Sequence, residues 1–174
     1  MNIFVTGMSG VGKSTLCNYL KQLKYNAFDL DDIPGLCELY HPNGERVRAD
    51  EKRTELNMLE TDYLCDTKAL SEHIGSHKGQ TFYFGYVDNF SEVARKFEQI
   101  ILLTVTPEEN KRRMSIRTTT DFAKDEKTQN ELLAFKDEWE SLVRKHNAIV
   151  IDASKDTAEL ANKMLGVLDI ETNN

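Results

Sequence analysis

Directly after the apolar run Ile3-Phe4-Val5 the chain carries Gly7-Met8-Ser9-Gly10-Val11-Gly12-Lys13-Ser14-Thr15, and no other stretch constrains the fold as much. It fills every fixed position of the pattern G-x-x-x-x-G-K-[ST], which demands a strand, a glycine-rich turn and a helix in immediate succession. Gly7, Gly10 and Gly12 let the backbone bend so that successive N–H groups, those of Ser9 and Val11 among them, point into one concavity without Cβ clashes. Such a concavity surrounds phosphate oxygens. Lys13 adds a point charge across the β- and γ-phosphates of a nucleotide, the Ser14 hydroxyl is placed to ligate Mg²⁺, and Thr15 follows in a helix whose N-terminus contributes the positive end of its dipole.

The 174 residues suit one α/β domain over 1–174, large enough to bury roughly two-thirds of its unfolded surface. Hydrophobic residues at 40% and charged residues at 29% are ordinary for a globular chain, and no apolar run approaches the ~20 residues of a membrane span. The first residues read as strand and phosphate loop rather than a charged-then-apolar leader, so a cytoplasmic location is expected. A net charge of -7 disfavours attraction to nucleic acid or to anionic membranes. Cys17, Cys37 and Cys65 lack C-x-x-C spacing and read as reduced thiols.

Short apolar runs alternate with helical patterns, as in a parallel sheet covered on both faces. Strands are expected near residues 2–6, 25–29, 81–87, 99–105 and 148–152. The first helix should run to about Leu23. A helical region over about 50–75 is read from the stripe Leu56, Leu59, Tyr63 and Leu70. Thr106-Pro107-Glu108-Glu109 opens a helix with a capping box and a proline at its first position. A further helix over 127–146 presents Leu132, Phe135, Trp139 and Leu142, and the last spans about 157–168.

Two further motifs carry chemistry. In Phe28-Asp29-Leu30-Asp31-Asp32, Asp29 and Asp31 are two apart on a strand and can point together toward the carboxyl end of the sheet, where ligands of α/β proteins collect. A phosphoryl acceptor needs a carboxylate to orient its hydroxyl, and Mg²⁺ needs hard oxygen ligands. Asp32 exchanges roles with Asp31 if the strand ends one residue earlier; alternatively these acids cap a loop and face water. In Arg113-Met114-Ser115-Ile116-Arg117 the two guanidiniums are four apart and share a helix face. Arg112 and Lys124 read as solvated cations, Lys124 being alternatively a second cation of a lid.

With these motifs in place the chain resembles the small P-loop kinases of the nucleoside, nucleotide and shikimate kinase group, over nearly its whole length. The resemblance implies a three-layer fold with five parallel strands in the order 2-3-1-4-5. It also implies use of ATP and Mg²⁺, a core of 1–30 and 80–170, an acceptor-binding region over 31–75 and a lid over about 118–126. It assigns Asp29 with Ser14 to the metal, Asp31 to the acceptor as catalytic carboxylate, Arg113 to stacking on adenine and Arg117 to the transferring phosphate. Gly85 would let an acceptor approach the third strand closely, and Arg46, Arg48 and Arg53 are the cations of the acceptor region. Asp88 and Asn89 are candidates to reach the metal or the acceptor, Asp88 being the second candidate for the metal carboxylate, and Asn89 alternatively caps the helix that starts at Phe90.

The chain departs from nucleoside monophosphate kinases, which usually end the third strand with Asp followed by Gly and an aromatic residue. It also lacks the shikimate kinase lid pattern of arginine, proline and two leucines. Tyr40, His41, Tyr63 and Tyr86 suit stacking or packing, and His73, His77 and His146 read as surface residues. The expectation is an ATP-dependent kinase of a small metabolite, monomer or homodimer. The alternative is an ATP-binding regulatory module with little transfer activity. A GTPase switch is disfavoured, since no Asn-Lys-x-Asp motif occurs.

Overall fold

The computed structural model describes residues 1–48, 60–118 and 123–170. Its centre is β1 (Asn2–Thr6), whose Ile3, Phe4 and Val5 are wholly buried. A run apolar at every position suits a strand covered on both faces. The same is true of β5 (Thr81–Gly85) and β6 (Gln99–Thr104), which pair with β1 on either side in parallel. The outer strands are β2 (Asn26–Asp29), beside β5, and β7 (Ile149–Asp152), beside β6. The sheet therefore runs β2-β5-β1-β6-β7. Counting only these five strands in chain order, that is 2-3-1-4-5, as the resemblance implied.

Parallel strands require crossovers, and helices supply them. These are α1 (Lys13–Gln22), α2 (Thr67–Ser76), α3 (Phe90–Ala94), α4 (Pro107–Ile116), α5 (Glu126–Ala134) and α6 (Lys136–Arg144), while α7 (Thr157–Val167) follows the last strand. On one side α1 packs against α7 as well as against β2 and β5. Elsewhere the core is aromatic, with Phe4 stacked between Phe97 and Phe90 at ring separations of 5.0 and 6.1 Å. Among the described residues no helix is long and apolar enough to cross a membrane.

The register aligns the carboxyl ends of the strands. Thr6 lies beside Gly85, and Asp29 beside Phe84. The Thr6 hydroxyl donates to the Gly85 carbonyl at 2.7 Å, so the ends of β1 and β5 are joined by a side chain as well as by the ladder.

Three expectations need correction. The helical region over 50–75 is not one helix: β3 (Cys37–Tyr40) and β4 (Asp62–Cys65) form a separate antiparallel hairpin, and α2 begins only at Thr67. Asp66 sets that boundary, its carboxylate accepting from the N–H groups of Lys68 and Ala69 as an N-cap. Leu56 and Leu59 lie outside the described residues. The helix over 127–146 is two helices, broken at Phe135 (φ −108°, ψ 10°). The break lets the first half pack Leu132 with Met114 and Ala123 while the second buries Trp139 and Val143 in the main core. Finally β5 stops at Gly85, short of 87.

Candidate active site

The chain turns sharply between β1 and α1 because two glycines permit it. An added Cβ on Gly7 would stand 2.4 Å from the Leu103 carbonyl oxygen, so β6 and the loop touch backbone to backbone. Gly12 caps α1 at φ 102°, a conformation that L side chains avoid. Lys13 folds back along this loop, its Nζ donating to the carbonyls of Gly7 (2.6 Å) and Met8 (3.1 Å). Burial lowers its pKa to about 8 against the opposing pull of Asp31 and Asp29. Ser9, Gly10, Val11, Ser14 and Thr15 line the same cavity.

The Ser14 hydroxyl donates to Asp29 Oδ2 at 2.7 Å. A hydroxyl and a buried carboxylate held together at a helix N-terminus beside a phosphate loop are the hard-oxygen pair that Mg²⁺ takes when nucleotide phosphates complete its shell. Among the described residues no cluster of three or more His, Cys, Asp or Glu offers a protein-only cage. Burial raises the Asp29 pKa above the usual carboxylate range, with the Ser14 hydrogen bond opposing it, and an adjacent cation would counter that shift.

Asp29 also accepts from the Asp31 N–H at 3.2 Å, capping a short 3₁₀ turn, Leu30–Asp32. The capping and the cavity-facing readings thus hold together for this residue. The turn swings Asp31 and Asp32 apart. Asp31 lines the cavity and accepts from the Tyr63 hydroxyl at 2.7 Å. Asp32 is not among the lining residues; its exposed carboxylate lies 3.7 Å from Lys21 Nζ, so the exchange of roles with Asp31 is not what this turn offers.

Gly85 also needs correction. Its missing side chain makes room for Leu30, whose Cδ1 would lie 2.8 Å from an added Cβ, and it does not open onto the cavity. Gly85 thereby lets the Asp29–Asp31 turn sit close to the sheet. Arg53 lies outside the described residues. Arg46 pairs with Glu38 at 2.5 Å and does not line the cavity.

Asp88 and Asn89, in the loop after β5, hold the hairpin. Asp88 Oδ2 accepts from the Tyr63 N–H at 2.6 Å, Oδ1 accepts from the Tyr86 hydroxyl at 2.7 Å, and the Asp88 N–H donates to the Tyr63 carbonyl. Asn89 grips both backbone groups of Cys65, at 3.0 and 2.9 Å, and makes no side-chain cap to α3. Burial raises the Asp88 pKa, opposed by its hydrogen bonds from Tyr86 and Tyr63.

The arginines of α4 differ. Arg113 is pinned in its own plane, to Glu109 Oε1 (2.6 Å), Val11 O (3.2 Å) and Ala153 O (3.0 Å). Such in-plane bonds leave guanidinium faces for stacking. Arg117, the C-cap of α4, donates from Nη2 to Ser9 Oγ at 3.2 Å, and burial lowers its pKa. Arg112 is exposed and shares Glu109. Of the segment expected to form a lid, residues 119–122 lie outside the described residues. Thr118 lines the cavity, and Gln129 Nε2 donates to the carbonyls of Ala123 and Lys124 and to Ser115 Oγ.

Lys13, Ser14, Asp29, Asp31, Tyr63, Tyr86, Asp88, Arg113 and Arg117 line one cavity of about 660 Å³. Sequence reasoning missed part of its wall: Lys155, Asp156 and Thr157 after β7, and Leu39 and Thr61 of the hairpin region. It also missed Asn110, fully buried, whose Nδ2 donates to the Ser9 carbonyl at 2.7 Å. A polar residue inside the helix that carries both arginines was the available signal. His73 and His77 are half-buried rather than surface residues, packed on Phe28 with ring separations of 4.9 and 4.5 Å.

The family model described as AAA domain matches residues 3–134. No curated protein sequence matches the chain. Among solved structures, a shikimate kinase from Acinetobacter baumannii in complex with shikimate is 18% identical, with a TM-score of 0.63 over 96% of this chain and 92% of that one. A gluconokinase from Sinorhizobium meliloti is 17% identical, with a TM-score of 0.56 over 97% and 91%. A deoxyadenosine kinase from M. mycoides with bound dATP is 15% identical, with a TM-score of 0.58 over 97% and 100%. At these identities the likeness is one of fold.

Proposed function

The chain belongs to the AAA domain family and has the fold of small-molecule kinases, and on that premise we propose that it is an ATP-dependent phosphotransferase acting on a hydroxyl or phosphate of a small metabolite. The observation that carries this reading is that Lys13 and Asp31 line one cavity. A phosphate cradle at one end and a carboxylate at the other are the two halves of a transfer site.

The backbone N–H groups of the loop from Gly7 to Thr15 bind the nucleotide phosphates. Lys13, released from the Gly7 and Met8 carbonyls, moves its charge onto them. Ser14 and Asp29 would hold Mg²⁺, which supplies positive charge to the β- and γ-phosphates. Arg113 presents a guanidinium face to the base, and Arg117 delivers charge to the transferring group. Asp31 orients the acceptor and takes its proton, with Tyr63 fixing one carboxylate oxygen so that the other faces the acceptor. The lid from Thr118 onward excludes water and so favours transfer over hydrolysis.

The test is ADP release from Mg-ATP against a panel of nucleosides, nucleoside monophosphates, shikimate, gluconate and other small alcohols. An acceptor that raises the rate at least ~100-fold, within the range expected of a positioned acid–base group, supports the reading when Asp31→Asn removes the rise. ATP binding with no acceptor-dependent turnover, and indifference to Asp31→Asn, would favour the regulatory module instead.

A further inference from the structure

Cys37 and Cys65 face each other across the hairpin. They are register partners in the antiparallel pair β3–β4, and both are free thiols. Residues opposite each other in such a pair alternate between hydrogen-bonded and non-hydrogen-bonded positions, and the backbone shows which this is. Asp66 N–H donates to the Leu36 carbonyl, so the neighbouring pair carries the ladder bond. The N–H and carbonyl of Cys65 point away from β3 and are taken by Asn89. Cys37 and Cys65 therefore occupy a non-hydrogen-bonded position, where Cα atoms stand about 4.5 Å apart and side chains approach most closely. That spacing falls inside the roughly 4.4–6.8 Å that disulfides span. The Cys65 thiol donates only weakly, to the Asp66 carbonyl at 3.9 Å.

We propose that Cys37 and Cys65 form a reversible disulfide by exchange with a low-molecular-weight disulfide. One thiolate attacks a sulfur of the external disulfide and expels one thiol, giving a mixed disulfide. The second thiolate then attacks the protein sulfur of that mixed disulfide and expels the other thiol. Both cysteines each lose a proton, and the two electrons lost in forming the Cys37–Cys65 bond reduce the external disulfide to two thiols. Entry is at Cys37, which is partly exposed, because Cys65 is buried at 3% exposure. The neighbouring Cys65 thiol and, after it, burial push the Cys37 thiol upward, which makes the reaction slow near neutrality and steeply pH-dependent. Cys17 lies wholly buried in α1 and takes no part.

The bond would tie the two strands of the wall that carries Leu39 and Tyr63 into the cavity. That consequence rests on the function proposed above, whereas the bond itself does not. The test uses the full chain and oxidised glutathione, with thiols counted by alkylation after denaturation and products read by mass. The expected result is a fall from three free thiols to one, no retained glutathione, one cross-linked peptide containing Cys37 and Cys65, and full reversal by dithiothreitol. The rate should rise about tenfold per pH unit between 7 and 9. In Cys37→Ser, Cys65 should stay unmodified while circular dichroism stays that of the parent chain. Three free thiols persisting at pH 9, or a stable glutathione adduct on Cys37 of the parent chain, would overturn the proposal.

Discussion

At the proposed nucleotide end of the cavity the glycine-rich loop is nine consecutive residues, Gly7 to Thr15, held by one strand, one turn and one helix. At the proposed acceptor end the lining comes from three separated segments: Asp31 after β2, Tyr63 in the hairpin, and Tyr86 with Asp88 after β5. The first is a local structure whose shape follows from backbone permissions. The second is a chain of side-chain hydrogen bonds, Asp31 to Tyr63 and Tyr63 to Asp88 to Tyr86, and it exists only when the hairpin is docked. Damage should therefore spread differently: through stability and nucleotide binding at one end, through acceptor turnover alone at the other.

The largest expected separation is from Asp31→Asn, which should lower acceptor-dependent kcat by about 10²–10⁴-fold while ATP affinity, read by calorimetry, stays within about twofold of the parent. Equal losses in both would erase the distinction between the ends. Next comes Gly7→Ala, which forces a Cβ to within 2.4 Å of the Leu103 carbonyl oxygen. It should cost about 3 kcal/mol in urea unfolding, and a parent-like midpoint would show that the loop is less tightly seated on β6.

Smaller is Tyr63→Phe, which frees one oxygen of Asp31. It should reduce kcat about tenfold, as expected for a hydrogen bond to a charged group, and leave ATP affinity unchanged. A change confined to KM would make Tyr63 a binding group rather than one that positions Asp31.

The smallest effect is one of pH. With its pKa lowered to about 8, Lys13 is largely deprotonated in the free protein at about pH 9, and bound phosphates would raise that value again. ATP binding should then take up close to one proton at about pH 9 and almost none at about pH 6.5, measured by calorimetry in buffers of different ionisation enthalpy. The linked stability term has the same origin. A lysine whose folded value is depressed destabilises the fold below about 8, and that cost is relieved as pH rises from there toward 10.5. Equal proton uptake at both pH values would mean that Lys13 titrates normally.

Legibility followed the same division. The strands of the sheet were readable because a buried parallel strand is apolar at every position, and α4 because Thr106 and Pro107 mark its start. The hairpin was not, because Tyr63 and Leu70 also fit a helical stripe, and nothing local says that Asp88 and Asn89 will hold Tyr63 and Cys65 from across the fold. Gly85 was misread for a related reason. A glycine announces a close approach but does not say by what, and here the neighbour is Leu30.

What the amino-acid order determined by itself was the phosphate loop, the alternation of strand and helix, and the short spacing that sets Asp29 and Asp31 at the end of β2. Those properties depend on neighbours within a turn or two of chain. The tertiary structure decided that Asp31 rather than Asp32 faces the cavity, that Tyr63 bonds to Asp31, that Arg113 bridges Val11 and Ala153, and that Cys37 meets Cys65. Apart from the locally capped turn that parts Asp31 from Asp32, each is a contact between residues far apart in sequence, fixed by strand register and by which buried polar groups find partners.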